Sequence, residues 1–278
     1  MALKVIVETR GFEPHDSVRE VKILKLLSHK NIINLIETFH DQGKRLVLVF
    51  PYKPLTLAKV IASGSISLNF MRTCFHDILS ALLYLHKQDI IHRDIKPSNI
   101  ILSSATGPTL LADFGTAWHP QLSLQTEPKN HKVLEVGTTC YRAPETLFGH
   151  RAYNCSLDIW STGAMLAECL RTPPKELFES RDTSEDGNQL GLILSIFKTL
   201  GTPTVKTWPE AQAFSTPPFQ WYQVFPGRSW EELLPSVDED ARDLVKKLVV
   251  YESGSRSTAE EVGLQVFNQN VSCKRRQC

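Results

Sequence analysis

The chain has 278 residues, which is enough for two domains or for one unit with two lobes. With 42% hydrophobic and 22% charged residues it has the composition of a globular protein, which excludes a disordered or collagen-like chain. The 31 basic and 30 acidic residues give a net charge of +1, so we expect no nucleic-acid partner.

The first fifty residues predict a strand, a helix and then a hairpin of two strands. The four segments are 2–7, 15–28, 34–40 and 44–50. Segment 15–28 has its apolar side chains at helical spacing, and Asp16 or Ser17 precedes them as the N-cap. This part of the chain therefore predicts a small unit rich in β-structure.

Pro51 and Pro54 follow the hairpin and interrupt any regular structure, as expected of a linker. Beyond them the periodicity is mostly helical. The predicted helices are 68–87, 156–170, 189–200, 239–250 and 258–267. We therefore place a small lobe at 1–50, a hinge at 51–54 and a large lobe at 55–278, in an α+β fold.

The six cysteines form no Cys-x-x-Cys pair and have no metal-ligand spacing with histidine, which favours reduced thiols. No apolar run reaches the roughly 18 residues of a membrane span, and the N-terminus has no signal-peptide core. We therefore expect a cytoplasmic or nuclear protein that does not associate with membranes.

Three motifs in order give the strongest functional signal. Residues 92–99 read His-Arg-Asp-Ile-Lys-Pro-Ser-Asn, 113–115 read Asp-Phe-Gly and 143–145 read Ala-Pro-Glu. One such tripeptide alone is weak evidence, but three in order after an Ala-Leu-Lys strand at 2–4 are not a coincidence. The sequence resembles the eukaryotic protein kinase family from Lys4 to about Phe267. The resemblance implies a two-lobed kinase fold, here with a truncated small lobe that lacks the glycine-rich loop.

The resemblance further implies a serine/threonine kinase that uses ATP and Mg²⁺ and acts on a protein substrate. Asp94 would orient the substrate hydroxyl and accept its proton, and Lys96 would reach the transferring phosphoryl group. Asn99 and Asp113 offer hard oxygen atoms suited to Mg²⁺. Thr138 matches the threonine that bridges the catalytic aspartate and lysine in serine/threonine kinases.

Lys4 matches the lysine that binds the ATP phosphates, and Glu20 matches the helix glutamate that pairs with it. The alternative for Lys4 and Glu20 is a surface ion pair that contributes little. The resemblance assigns the adenine slot to Ala2 as roof, Phe50 as gatekeeper, Lys53 at the hinge and Ile101 as floor. For Ala2 and Ile101 an ordinary core position is an equally good interpretation.

The chain resembles the cyclin-dependent-kinase-like group of the family, but the loop before Ala-Pro-Glu departs from cyclin-dependent kinases. The position of their activating threonine, twelve residues before Glu145, is Val133. Of the three arginines that bind the phosphate, Arg19 and Arg93 remain and Trp118 replaces the third. Because an unpartnered buried arginine would cost roughly several kcal/mol, we expect a carboxylate in place of the phosphate. The candidates are Glu135, the nearer one, and Glu127.

Gly137 stands where proline-directed kinases carry a strained residue other than glycine, so a preference for proline after the phosphorylated residue is in doubt. These features are similar to the fungal monomeric kinases that phosphorylate cyclin-dependent kinases. We therefore expect a monomeric kinase of the cell cycle whose substrate is a cyclin-dependent kinase. The alternatives are a proline-directed kinase with a cyclin partner and, because the glycine-rich loop is missing, a pseudokinase scaffold.

Overall fold

A computed structural model of the protein describes residues 1–6, 14–64, 66–104, 106–179, 188–220 and 223–263. The chain forms two compact units, one of residues 1–129 joined by the segment from Ala259 onward, the other of residues 130–258. Each unit is described by itself below. The division into lobes at 51–54 stays a prediction.

The first unit opens with a three-stranded antiparallel sheet. Its strands are β1 (Ala2–Ile6), β2 (Glu37–His40) and β3 (Leu46–Phe50), in the order β1-β3-β2. The central strand β3 is buried because it pairs on both edges, and Leu48 lies opposite Lys4 of β1. The predicted strand and hairpin are confirmed, except that Val7 lies outside the described residues.

Helix α1 (Ser17–Leu26) lies between β1 and β2 in the chain. It begins at Asp16, whose carboxylate accepts a 2.9 Å hydrogen bond from the Arg19 amide, and it ends at Leu27, which is extended. Arg19 and Glu20 in its first turn are each only 2% exposed. Burial of two charged side chains is unusual and requires ionic partners, so this turn of the helix indicates a functional site.

The rest of the first unit combines helices with a second antiparallel sheet. Its elements are β4 (Leu55–Thr56), α2 (Leu57–Ala62), α3 (Leu68–His86), β5 (Ile100–Leu102) and β6 (Thr109–Leu111). The sheet has the order β4-β5-β6. Asp77 of the predicted helix α3 accepts a 3.0 Å hydrogen bond from the Thr109 amide, which attaches α3 to the strand before Asp113.

The second unit is helical. Its helices are α4 (Pro144–Leu147), α5 (Ser156–Leu170), α6 (Asn188–Leu200), α7 (Trp230–Leu233) and α8 (Glu239–Leu248). α5 is buried along nearly its whole length, as its evenly apolar sequence predicts. It packs closely on α8, since a Cβ atom on Gly163 would lie 2.7 Å from the Leu248 Cβ. Of the predicted helix 258–267, residues beyond Gly263 lie outside the described part.

Arg256 and Glu145 form a buried ion pair in the second unit. The Arg256 Nη1 and Nη2 atoms donate to the two carboxylate oxygens of Glu145, both at 2.7 Å. Because the fork geometry satisfies both oxygens, the pair holds the Ala-Pro-Glu segment firmly. Among the described residues, no helix combines the length and the apolar character needed to cross a bilayer.

Candidate active site

Residues 92–99 form a loop that brings three polar side chains together. The Lys96 Nζ lies 2.8 Å from the Asp94 Oδ2, and the Asn99 Nδ2 donates to the same oxygen at 3.0 Å and to the Asp94 carbonyl at 2.8 Å. Arg93 has a positive φ of 70°, which only a well-fixed residue other than glycine maintains. The loop therefore holds Asp94 between a cation and an amide.

His92 fixes this loop to the segment 112–116. Its side chain is fully buried, and its Nε2 lies 3.1 Å from the Ala112 carbonyl oxygen. The His92 carbonyl accepts from the Thr116 hydroxyl at 3.3 Å, and its ring meets the Phe114 ring edge-on at 4.9 Å. These contacts therefore fix the loop that carries Asp94 against the segment that carries Asp113.

Lys4, Glu20 and Asp113 form a second cluster. The Lys4 ammonium donates to the two Glu20 oxygens at 2.7 and 2.9 Å and to the Asp113 Oδ1 at 2.7 Å. A Cβ atom on Gly115 would lie 3.3 to 3.5 Å from atoms of all three side chains. Glycine at 115 therefore leaves the cluster the space that it needs. The structure brings together the three residues that the sequence assigned to the ATP phosphates and metal.

The pKa values in this cluster follow from burial and charge. Burial raises the pKa of Glu20 although Lys4 opposes the change. For Lys4, burial acts to lower the pKa, but the carboxylates of Glu20 and Asp113 outweigh it and the pKa is raised. For Asp113, burial acts to raise the pKa, but the charge of Lys4 prevails and the pKa is lowered. The Asp113 carboxylate therefore stays ionised at neutral pH.

Asn99 and Asp113 fit a magnesium ion that takes its other ligands from substrate and water. The Asn99 carbonyl accepts from the Ala112 amide at 2.9 Å, so the two candidate ligands lie on hydrogen-bonded segments. Because the Asn99 Nδ2 binds Asp94, the side-chain oxygen is the atom left to face a cation. Among the described residues no group of three or more His, Cys, Asp or Glu could hold a metal. Mg²⁺ commonly binds with only one or two protein ligands plus phosphate oxygens.

The four residues assigned to the adenine slot lie on strands or next to them. Ala2 of β1 is the register partner of Phe50 of β3, and both are partly exposed. Ile101 is the partly exposed middle residue of β5. The Lys53 Nζ donates to the Ser103 hydroxyl at 2.8 Å, just past the end of β5. Their contact with adenine stays a prediction.

The expectation that Glu135 is the first candidate to replace the loop phosphate is wrong. The Nη1 and Nη2 atoms of Arg93 donate to the carboxylate of Glu127, at 2.5 and 2.9 Å, and the Arg19 Nη1 lies 3.4 Å from the same group. Glu135 is nearer to Val133 in the sequence, but this proximity did not identify the glutamate that binds the arginines. The path of the loop, which no local pattern reveals, brings Glu127 to the arginines.

Thr138 and Gly137 belong to the second unit. Thr138 precedes a 3₁₀ turn at Thr139–Tyr141, and its bridge to Asp94 and Lys96 stays a prediction. Gly137 has a φ of 82°, the left-handed conformation that glycine adopts without strain. A Cβ atom there would lie 3.4 Å from Arg142, so a side chain would be in van der Waals contact with that arginine.

Two hydrogen bonds at this site have no signal in the sequence. The Thr116 carbonyl accepts from the Arg93 Nε at 2.5 Å, and the Trp118 indole N–H donates to the Glu127 carbonyl at 2.9 Å. Trp118, which replaces the third arginine, is only 2% exposed. Its hydrogen bond to Glu127 has no sequence signal, because it depends on the tertiary path of the chain.

Comparison with known proteins identifies the family of the chain. Residues 1–267 match the family model described as a protein kinase domain. The serine/threonine-protein kinase csk1 of Schizosaccharomyces pombe is 36% identical over 242 residues, which cover 86% of this chain and 76% of that protein. Among solved structures, the crystal structure of the yeast RNA Pol II CTD kinase CTDK-1 complex is similar, with a TM-score of 0.78 and 28% identity. The match covers 94% of this chain and 83% of that one.

Proposed function

The chain belongs to the protein kinase family and is a serine/threonine protein kinase, and from this premise we propose that Asp94 is its catalytic base and that its substrate is a cyclin-dependent kinase. The family uses ATP and Mg²⁺. The convergence of Lys96 and Asn99 on the Asp94 carboxylate is the observation that carries the assignment of Asp94.

Asp94 accepts the proton of the substrate hydroxyl as that oxygen bonds to the γ-phosphorus of ATP. The bond between the γ-phosphorus and the β,γ-bridging oxygen breaks in the same transfer, and ADP leaves. Lys96, next to Asp94, supplies positive charge for the transferring group, since most of the catalysis in phosphoryl transfer is positioning and charge stabilisation. The family resemblance also assigns Thr138 to the catalytic residues.

Lys4 binds the ATP phosphates in this proposal, and Glu20 of α1 fixes its position. Asn99 and Asp113 would hold Mg²⁺, which would supply positive charge to neutralise the phosphates. In the same proposal the adenine is enclosed by Ala2, Phe50, Lys53 and Ile101. The fit is supported by the paired contacts of Lys4 and by the lowered pKa of Asp113, which keeps a hard anionic ligand available.

Gly137 supports a cyclin-dependent kinase as the substrate. Kinases directed to proline carry a side chain at this position, whereas Gly137 presents none beside Arg142. The activating threonine of a cyclin-dependent kinase is not followed by proline, so the absence of a proline-directed pocket agrees with that substrate. A role in cell-cycle control follows from this choice, and we expect the enzyme to act as a monomer.

The test is phosphorylation of a purified cyclin-dependent kinase whose own activity is disabled. With Mg-ATP we expect incorporation of one phosphate at its activating threonine, located by mass spectrometry. The matched substrate has that threonine replaced by alanine and should accept no phosphate. Equal incorporation into both substrates would contradict the proposed substrate. Incorporation only after addition of a cyclin to the enzyme would favour the cyclin-dependent alternative.

A further inference from the structure

Two buried arginines of the first unit share one buried carboxylate. Arg93 holds Glu127 through both Nη atoms, and the Arg19 Nη1 lies 3.4 Å from the Glu127 Oε1. The side chains of Arg93 and Glu127 are fully buried and that of Arg19 is 2% exposed. At such a site the attraction between the charges is much stronger than at the surface.

Hydrogen bonds to Ser123 and Trp118 fix the backbone position of Glu127. Its amide donates to the Ser123 carbonyl at 2.7 Å, and its carbonyl accepts from the Trp118 indole at 2.9 Å. Trp118 exchanges two backbone hydrogen bonds with Ile91, at 2.8 and 3.0 Å. The segment that carries Glu127 is thus attached to the strand-like segment just before His92 and Arg93.

Each of the two arginines directly precedes, in the sequence, a residue of one of the two functional clusters. Arg19 precedes Glu20, which pairs with Lys4, and Arg93 precedes Asp94. The Glu127 carboxylate therefore connects α1 to the catalytic loop. Any displacement of Glu127 would move α1, the loop or both, and an error of about 1 Å at a reacting group can reduce the rate about a hundredfold.

We propose that Glu127 is a positioning residue that holds α1 and the Asp94 loop in the arrangement required for transfer, so that the chain is active without phosphorylation of its loop. A phosphate group could bind the two arginines in this way only after the loop had been phosphorylated. Glu127 is part of the chain, and its negative charge is already in contact with both arginines. The inference rests on the proposed kinase function and concerns its regulation.

The experiment compares wild type with Glu127→Gln, which keeps the shape of the side chain and removes its charge. Protein made in bacteria is treated with phosphatase, and mass spectrometry confirms that it carries no phosphate. The kcat and the KM for substrate are measured well below the melting temperature, and amide hydrogen exchange is followed in α1. Glu135→Gln is the matched control, because Glu135 is an exposed glutamate later in the same loop.

We expect the dephosphorylated wild type to keep full activity. Glu127→Gln should lose about tenfold to a hundredfold in kcat with little change in KM, and its α1 amides should exchange faster. Glu135→Gln should match wild type in all three measurements. If Glu127→Gln does not fold, Glu127→Asp replaces it, since aspartate keeps the charge but is too short to reach both arginines.

A purely structural role for Glu127 would lower the melting temperature but leave kcat and α1 exchange unchanged, and this result would overturn the proposal. Activity of wild type only after phosphorylation would also overturn it while leaving the kinase function intact. If no form transfers phosphate, the proposed function fails instead, and unchanged α1 exchange in Glu127→Gln would then reject the positioning role independently.

Discussion

The Lys96 ammonium lies 2.8 Å from the Asp94 carboxylate, and the two side chains are 24% and 13% exposed. The pair is thus largely shielded from bulk water but keeps some exposed surface. The left-handed backbone of Arg93 turns the chain just before Asp94, and Arg93 itself is held by Glu127 and by the Thr116 carbonyl. A strained residue at this position is expected where surrounding contacts fix a functional group.

Removal of the Lys4 charge should destabilise the protein in a manner that depends on pH. The pKa of Lys4 is raised in the folded state, so its stabilisation is fully present below its ordinary value of 10.5 and is lost as the pH rises through the folded-state value. The difference in unfolding free energy between wild type and Lys4→Met should therefore stay constant from pH 8 to about 10 and shrink above that range.

Urea unfolding from pH 8 to about 11 measures this difference. Lys25→Met is the control, because Lys25 is an exposed lysine of α1, the helix that carries Glu20, and it should change the free energy by no more than about 0.5 kcal/mol. A difference for Lys4→Met that grows above pH 10 would contradict the assigned direction.

Arg256→Ala should destabilise the protein strongly. It would leave the Glu145 carboxylate buried without its bidentate partner, and loss of one member of such a pair costs about 3–5 kcal/mol. Lys247→Ala breaks the exposed pair with Asp243 and should cost no more than about 1 kcal/mol. Denaturant unfolding compares the two variants, and similar values for both would show that burial of the Arg256 pair does not matter.

The absence of a side chain at Gly137 should affect which peptide substrates the enzyme prefers. For two peptides that differ only after the phosphorylated threonine, we expect kcat/KM to be no higher with proline than with a residue other than proline. Gly137→Val should lower kcat/KM for both peptides, since valine at a positive φ costs about 1–3 kcal/mol. A tenfold preference of wild type for the proline peptide would instead favour a proline-directed kinase.

The long helices were predictable from sequence, but the short ones were not. α3 and α5 agree with their predicted bounds to within one residue, because their apolar spacing is continuous and Ser67 caps α3. α4 and α7 have four residues each, too few for any periodicity to be visible. The same limit explains why β4, with two residues, was not predicted.

The site was predictable where residues lie in contiguous motifs and not where distant segments meet. Asp94, Lys96 and Asn99 share one loop, so their proximity followed from the motif. The partner of Arg93 lies 34 residues away in a loop whose path depends on tertiary hydrogen bonds. Spacing in the sequence contains no information about such a path, which is why Glu135 was ranked above Glu127.

Replacement of Asp94 by asparagine tests the central claim most directly. Asparagine keeps the size and the hydrogen bonds of the side chain but cannot accept the substrate proton, so kcat should fall by about 10²–10⁴ with the melting temperature nearly unchanged. Asp89→Asn, a change at an exposed aspartate five residues earlier, is the matched control and should retain the wild-type kcat. Steady-state kinetics of the three proteins with Mg-ATP supply the comparison. Near-normal kcat in Asp94→Asn would contradict the assignment of Asp94 as the catalytic base.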